Sequence, residues 1–181
     1  MRAFGKTFVA ATVRRSTVTF DQNATFMGTS LQHELSRVVT TADATVRHQI
    51  TPVTDLTFGV SREDDRFLYD SARSSVSTRV AGGVKFDTRL RGEASLGYRA
   101  FEPLRANVPA YRGLTANADV SFATVGSTRF GVRVIRDVDY SYDIQQPYYL
   151  QTGATASVTQ GLFGPLNGSV RVGLQQLAYR G

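Results

Sequence analysis

The stretch Leu90-Arg91-Gly92-Glu93-Ala94-Ser95-Leu96-Gly97-Tyr98-Arg99-Ala100-Phe101 decides how the rest of the chain is interpreted. Its even-numbered residues are apolar or small, whereas most of the residues between them are polar or charged. Because successive side chains of a β-strand point to opposite faces, the pattern predicts one strand with an apolar face and a charged face. A length of about twelve residues is roughly twice that of an ordinary globular strand and is enough to cross a bilayer at a tilt.

The composition excludes a helical membrane protein but not a β-barrel. The chain has 181 residues, of which 41% are hydrophobic, and it contains no run of about eighteen apolar residues that could form a transmembrane helix. A barrel escapes this test because only alternate residues face the hydrocarbon. Cysteine is absent, which excludes disulfides and thiolate metal ligands. The net charge of +6 comes from arginines spread singly along the chain, a pattern that does not favour a nucleic-acid partner.

The same alternation recurs along the chain and predicts about nine long strands and no helix. The facing of the first strand stays open, because Val9, Ala11 and Val13 favour one face and Phe8 and Ala10 the other. Polar residues without a sustained period predict surface loops at 21–37 and 63–74. The predicted strands are 6–20, 38–50, 56–61, 76–86, 90–101, 114–122, 129–142, 150–159 and 169–175.

Three further features favour an antiparallel up-and-down transmembrane β-barrel. All five prolines lie in predicted connections, as expected if the strands are internal to a sheet. The predicted connections alternate between long and short, and outer-membrane barrels have long external loops and short periplasmic turns. Aromatic residues lie near the strand ends, as they do in the aromatic girdles at the two membrane interfaces.

Alternation alone leaves open which face is in contact with water. A soluble β-barrel or sandwich, such as a binding protein, has the same period with its apolar face inward. The strand length and the alternating loop lengths favour the membrane barrel. So do the many alanines on the apolar face, such as Ala42, Ala94 and Ala116, because a close-packed soluble core has less use for small side chains than lipid has.

The membrane interpretation assigns each strand residue to lipid or to a lumen. The residues predicted to face lipid are Val80, Val84, Leu96, Tyr98, Val120, Phe122, Phe130, Val132, Val134, Val158, Val170 and Val172. The residues predicted to line the pore are Arg79, Lys85, Arg91, Glu93, Arg99, Asn117, Asp119, Arg129, Arg133 and Arg171.

The predicted lumen face contains more basic than acidic residues. One interpretation is a wall of paired charges that stabilises the barrel interior. The other is a pore that prefers anionic solutes, including acidic sugars, because the planar guanidinium group binds carboxylate and phosphate well. Inward glycines such as Gly97 and Gly131 are expected to leave space beside these side chains.

No catalytic or metal site is predicted. His33 and His48 have neither a second histidine nor a carboxylate at ligand spacing. An outer-membrane hydrolase remains an alternative, but it would need a serine with a base and an orienting group, and no Gly-x-Ser-x-Gly motif occurs. We therefore expect no enzymatic activity and no cofactor. The expected partners are outer-membrane lipid and lipopolysaccharide, together with small solutes or a polysaccharide.

Three motifs carry a resemblance to a known family. They are Gly92-x-Ala94-x-x-Gly97-Tyr98-Arg99-x-Phe101-x-Pro103, Gly126-Ser127-Thr128-Arg129 and Gln146-Pro147-Tyr148-Tyr149. With these motifs the chain resembles the putative beta-barrel porin type 2 family of Gram-negative outer membranes, over most of its length and most strongly from residue 50 to residue 181. The resemblance implies an outer-membrane porin, and some members of the family are associated with exopolysaccharide export.

The two ends of the chain depart from a full member of that family. The chain has no signal peptide, and it stops at Tyr179-Arg180-Gly181 without a closing strand that ends in Phe. An odd number of strands does not form an ordinary closed bacterial barrel. We therefore expect residues 1–181 to be a single barrel domain that is incomplete at both ends, a fragment of a larger barrel.

Overall fold

The computed structural model describes residues 2–124, 126–143 and 145–180, and it consists almost entirely of β-strands. One helix and one turn of 3₁₀ helix (Ser71–Arg73) are the exceptions in this part of the chain. The elements are β1 (Arg2–Phe4), β2 (Thr7–Val18), β3 (Thr25–Phe26), β4 (Thr29–Ser30), α1 (Leu31–Leu35), β5 (Arg37–Thr51), β6 (Thr54–Phe67), β7 (Ser75–Asp87), β8 (Leu90–Pro103), β9 (Tyr111–Ala123), β10 (Thr128–Tyr140), β11 (Tyr148–Gly161) and β12 (Asn167–Arg180).

One sheet contains all the long strands in up-and-down order. Its strand order is β1-β2-β5-β6-β7-β8-β9-β10-β11-β12, and the pairings are antiparallel. In the described part of the chain β1 and β12 are the two edges of this sheet, which is therefore open. The predicted all-β fold of nine long antiparallel strands is confirmed.

The connections alternate in length as the sequence predicts. Short turns join β5 to β6, β7 to β8, β9 to β10 and β11 to β12 at one end of the sheet. Long loops join β2 to β5, β6 to β7, β8 to β9 and β10 to β11 at the other end. We call these the short-turn end and the long-loop end.

The sheet is curled, and its polar face is concave. Side chains of strands that are not neighbours meet on this face: Arg79 of β7 contacts Asp137 of β10 at 3.3 Å, and Arg99 of β8 contacts Glu63 of β6 at 3.2 Å. On a flat sheet, strands three positions apart would lie about 14 Å apart. From β5 onward the concave face carries the odd-numbered residues of the paired strands, and the convex face carries the even-numbered ones.

The register also fixes the facing of the first long strand. Val9, Ala11 and Val13 of β2 lie opposite Val46, Ala44 and Ala42 of β5, which are on the convex face. Phe8 and Ala10 therefore face the concave side. The apolar period of Val9, Ala11 and Val13 is the one that matches the neighbouring strand.

Two predicted loops are wrong in part. Residues 63–67 continue β6, because Glu63 and Asp65 on its concave side are matched by Arg99 and Arg37. Residues 21–37 include the β3–β4 hairpin, the helix α1 and the first residue of β5, and the chain therefore contains a short helix that the alternation did not predict. Ser36, predicted to lie in a surface loop, is buried.

Near the long loops, the ends of β10, β11 and β12 separate from β9 and cover part of the concave face. The pairing of β10 with β9 stops at Arg136 opposite Ala116, whereas β10, β11 and β12 stay paired with one another beyond that point. Beyond it, the even-numbered Val138 and Leu150 pack with Phe101, which is on the odd-numbered face of β8. From its alternation, the sequence predicts that Val138 and Tyr140 share the lipid-facing side with Phe130. This prediction is wrong, because these strand ends lie inside the mouth.

Candidate pore-lining face

The structure places all the residues predicted to line a pore on the concave face, but in different environments. Some are held in ion pairs toward the long-loop end, and others are exposed toward the short-turn end. Whether this face encloses a pore stays a prediction. The local chemistry of the two ends differs.

Arg99 is the centre of a charge network toward the long-loop end. Its side chain is only 12% exposed, and its Nη1 and Nη2 atoms contact Asp137 Oδ1 at 2.9 Å and Glu63 Oε1 at 3.2 Å. Its Nε donates to Ser77 Oγ at 2.6 Å. Arg79 adds a second contact to Asp137. These charges are paired as a structural wall would require.

Arginines from the loops and strand ends form ion pairs at the long-loop mouth. Arg73 of the 3₁₀ turn is buried, and it forms an ion pair with Glu34 of α1 and donates to the carbonyl oxygen of Ser141. Arg37 contacts Asp65 at 3.1 Å, and its guanidinium carbon lies 4.7 Å from the centre of the Tyr140 ring. Buried charges need partners of this kind, because an unpaired charge in such a site is costly.

An aromatic cluster lies beside these ion pairs. The ring of Phe101 lies 4.9 Å from that of Tyr148 and 5.8 Å from that of Tyr140, and the latter also contacts Phe67 at 5.0 Å. The Tyr148 hydroxyl donates to the carbonyl oxygen of Pro109 at 2.6 Å. The sequence predicts that Tyr140 and Tyr148, near the long loops, belong to an aromatic girdle. This prediction is wrong, because both rings lie in the mouth on the concave side.

Basic side chains outnumber acidic ones toward the short-turn end. Arg91 Nε lies 3.0 Å from Asp87 Oδ1, and Arg133 Nε lies 2.9 Å from Asp119 Oδ2, with the side chains of both pairs well exposed. The basic residues of this end are Arg47, Lys85, Arg89, Arg91, Arg129, Arg133 and Arg171, and the acidic ones are Asp55, Asp87, Glu93 and Asp119. Toward the long loops, four basic residues on this face are balanced by four acidic ones, namely Arg14, Arg37, Arg79 and Arg99 by Asp43, Glu63, Asp65 and Asp137.

A polar groove of about 320 Å³ lies between the two ends. Small polar residues, among them Thr57, Ser61, Ser95 and Asn117, line it. The prediction that the inward glycines leave free space is wrong in part, because hydroxyls of the neighbouring strand occupy the space beside some of them. A Cβ atom built on Gly131 would lie 2.6 Å from Ser157 Oγ.

The convex face carries a band of exposed apolar side chains. All the residues predicted to face lipid lie on this side, and Leu96, Tyr98, Val132 and Val170 are among those at least half exposed. Few apolar side chains stay exposed in contiguous patches on soluble proteins. A soluble barrel with its apolar face inward would show the opposite arrangement.

The apolar band is inclined to the strand register. The cross-strand row that contains Phe58 of β6 reaches β12 at Gln176. The band is centred on Phe58 in β6 but on Val172 in β12, which is four positions nearer the short turns than Gln176. That shift corresponds to roughly 13 Å along the strand. Strands of a barrel tilt relative to its axis, so a level apolar belt crosses the register in this way. The row consists of Phe58, Gly82, Leu96, Ala116, Arg136, Thr152 and Gln176.

The structure offers no metal centre among its described residues, in which no three His, Asp or Glu side chains cluster suitably. His48 Nδ1 shares a hydrogen bond with Thr7 Oγ1 at 2.9 Å on the convex side, and His33 stacks on Tyr69 with ring centres 4.5 Å apart. The helices of the described ranges are too short and too polar to cross a membrane.

Sequence reasoning missed several residues of the long-loop mouth. Arg37, Glu63, Asp65 and Arg73 form its ion pairs, but they lie in segments predicted to be loops. One signal was available: the odd-numbered Glu63, Asp65 and Phe67 continue the period of Thr57, Gly59 and Ser61.

Comparison with known proteins agrees with the architecture. The family described as "Putative beta-barrel porin 2" matches residues 1–181, the whole chain. No curated protein and no solved structure matches this chain. The curled up-and-down sheet, with an apolar convex face and a polar concave face, is the arrangement that a barrel porin requires. The chain therefore belongs to the putative beta-barrel porin 2 family.

Proposed function

We propose that the protein forms a passive pore for small solutes in the outer membrane, with a preference for anions, including acidic sugars. The observation that carries the proposal is the division of one curled sheet into an exposed apolar convex face and a polar concave face. Lipid and lipopolysaccharide would cover the first face, and water and solutes would contact the second.

The preference for anions follows from where the unpaired basic residues lie. Lys85, Arg129 and Arg171 form no ion pair with any residue in the described ranges, and all three lie toward the short-turn end. Short turns of outer-membrane barrels face the periplasm. A positive vestibule would therefore lie at the periplasmic mouth and raise the local concentration of anions.

The long-loop mouth would limit solutes by size. Its charges are matched within the protein, as with Arg99 and Asp137, so they add little net potential. The strand ends and the rings of Tyr140 and Tyr148 occupy space on the concave face there. We assign no catalytic role to this region. His33 stacks on Tyr69, and His48 shares a hydrogen bond with Thr7 on the convex side.

Ion selectivity of the full-length protein in planar bilayers tests the proposal. In a salt gradient the wild-type pore should give a reversal potential on the anion-selective side. Replacing Arg91 and Arg133 together by Gln should shift it toward cations, because Asp87 and Asp119 would lose their partners. The matched control, Asp87→Asn with Asp119→Asn, should shift it the other way. A cation-selective wild type, or no shift in either pair of variants, would contradict the proposal.

A further inference from the structure

Three arginines converge on one small cavity at the short-turn end of the concave face. Arg89 lies in the turn before β8, Arg91 lies near the start of β8, and Arg129 lies near the start of β10. The register explains the convergence. Ala123 of β9 is the partner of Arg129, and its amide donates to the carbonyl oxygen of Arg89 at 3.0 Å. Arg91 lies opposite Ser121, two residues earlier on β9.

The cavity carries more positive charge than the protein neutralises. Arg91 is paired with Asp87, whereas Arg89 and Arg129 have no ion pair with any residue that the structure describes. The other acidic residues of this end do not line the cavity: Asp119 is bound to Arg133, and Glu93 lies opposite Lys85. An anion between the guanidinium groups would replace their mutual repulsion by attraction.

The size of the cavity limits what it can hold. Its volume is about 110 Å³, roughly that of four water molecules. The small side chains of Ser121 and Ala123 leave this space between the arginines. It suits one phosphate or carboxylate group, which guanidinium groups bind through paired hydrogen bonds. The hydroxyls of Thr88 and Ser121 are further possible donors.

We infer that Arg89, Arg91 and Arg129 form a binding site for a compact oxyanion, a phosphate or carboxylate group, at the short-turn mouth. The inference rests on the proposed function, because a lumen gives solutes access to the concave face. The same group could belong to a free solute or to the headgroup of an anionic phospholipid at the rim of the barrel.

The test titrates inorganic phosphate into the full-length protein in a neutral detergent, at constant ionic strength. Arg129→Gln should weaken phosphate binding about ten- to hundredfold, the loss expected for hydrogen bonds between charged groups. The control is Arg14→Gln, which removes the same charge from the same face outside both the cavity and the short-turn end. It should leave the affinity close to that of the wild type. Equal weakening in both variants, or no binding of phosphate to the wild type, would overturn the site.

Two further measurements distinguish the possible occupants of the site. Acetate should compete with phosphate if carboxylates share the site. In phosphatidylglycerol vesicles, weaker binding of phosphate than in phosphatidylcholine vesicles would support the site with a lipid headgroup as its occupant, and equal binding would support it with a free solute. A non-selective pore whose phosphate affinity still depends on Arg129 would refute the proposed function and keep the site. An anion-selective pore with equal phosphate affinities in both variants would refute the site and keep the proposed function.

Discussion

At the scale of single residues, the concave face holds two kinds of arginine. The Arg99 side chain is 12% exposed and has three side-chain partners, whereas the Arg91 side chain is 68% exposed and has one. Removing one member of a desolvated pair leaves an uncompensated charge, but an exposed pair contributes little to stability. The first kind holds the fold together, and the second kind is available to solutes.

We expect Arg99→Met and Arg91→Met to separate these roles. Arg99→Met should lower the free energy of unfolding by roughly 3 kcal/mol, the low end of the range for a buried pair, because Arg79 still contacts Asp137. Arg91→Met should cost about 0–1 kcal/mol. Urea titrations of both variants in lipid vesicles measure the difference, and equal losses would show that Arg99 is not a structural residue.

The sequence predicts the face of a charged residue better than its partners. Alternation puts Arg99 and Asp137 on one face, and the register bears this out. Their contact could not be predicted, because β8 and β10 are not neighbours and meet only through the curl of the sheet.

At the scale of strands, Gly92 controls how β8 meets β9. Its φ is +134°, and a Cβ atom there would lie 2.0 Å from the carbonyl oxygen of Asp119. Gly92→Ala should therefore cost about 1–3 kcal/mol of stability. Gly82→Ala is the matched control, since its nearest atom is Thr57 O at 3.9 Å, and it should be neutral within about 0.5 kcal/mol. Equal thermal unfolding of the two variants would show that the strand pair adapts to a side chain at Gly92.

The ends of β10, β11 and β12 are expected to narrow the pore. Tyr148→Ala removes the ring contact with Phe101 and the hydrogen bond to Pro109, so these ends should move and the single-channel conductance should rise. Tyr149→Ala is the control, because that ring contacts Tyr179 instead, and it should leave the conductance unchanged. A less stable Tyr148→Ala pore of normal conductance would mean that the strand ends do not limit flow.

Strand periods predict the wall but not its irregular end. The alternation of β8 and β9 continues until their loops, and their predicted bounds agree with the structure within a few residues. The even-numbered residues of β10 keep the same alternation past Arg136, although the strand has by then left β9. Alternation reflects the local backbone conformation. The separation of β10 from β9 depends instead on contacts with residues that are distant in the sequence, such as Phe101.

At the scale of the whole molecule, the two faces of one sheet differ in polarity. The sequence predicts this division, the strand order and the alternating loops, because each depends on local period and turn residues. It does not predict that Asp137 and Glu63 neutralise Arg99, since this depends on the curl that brings β6 and β10 close to β8. Selectivity and size limitation are therefore expected at opposite ends of the pore.

Site-directed spin labelling of β8 tests most directly whether the convex face meets lipid and the concave face meets water. The chain has no cysteine, so single cysteines can be placed at Glu93, Ala94, Ser95 and Leu96 without background. In lipid vesicles, labels at 94 and 96 should be more accessible to oxygen, and labels at 93 and 95 to a water-soluble nickel chelate. The reverse order, or equal access to the chelate at all four positions, would contradict the assignment of the two faces.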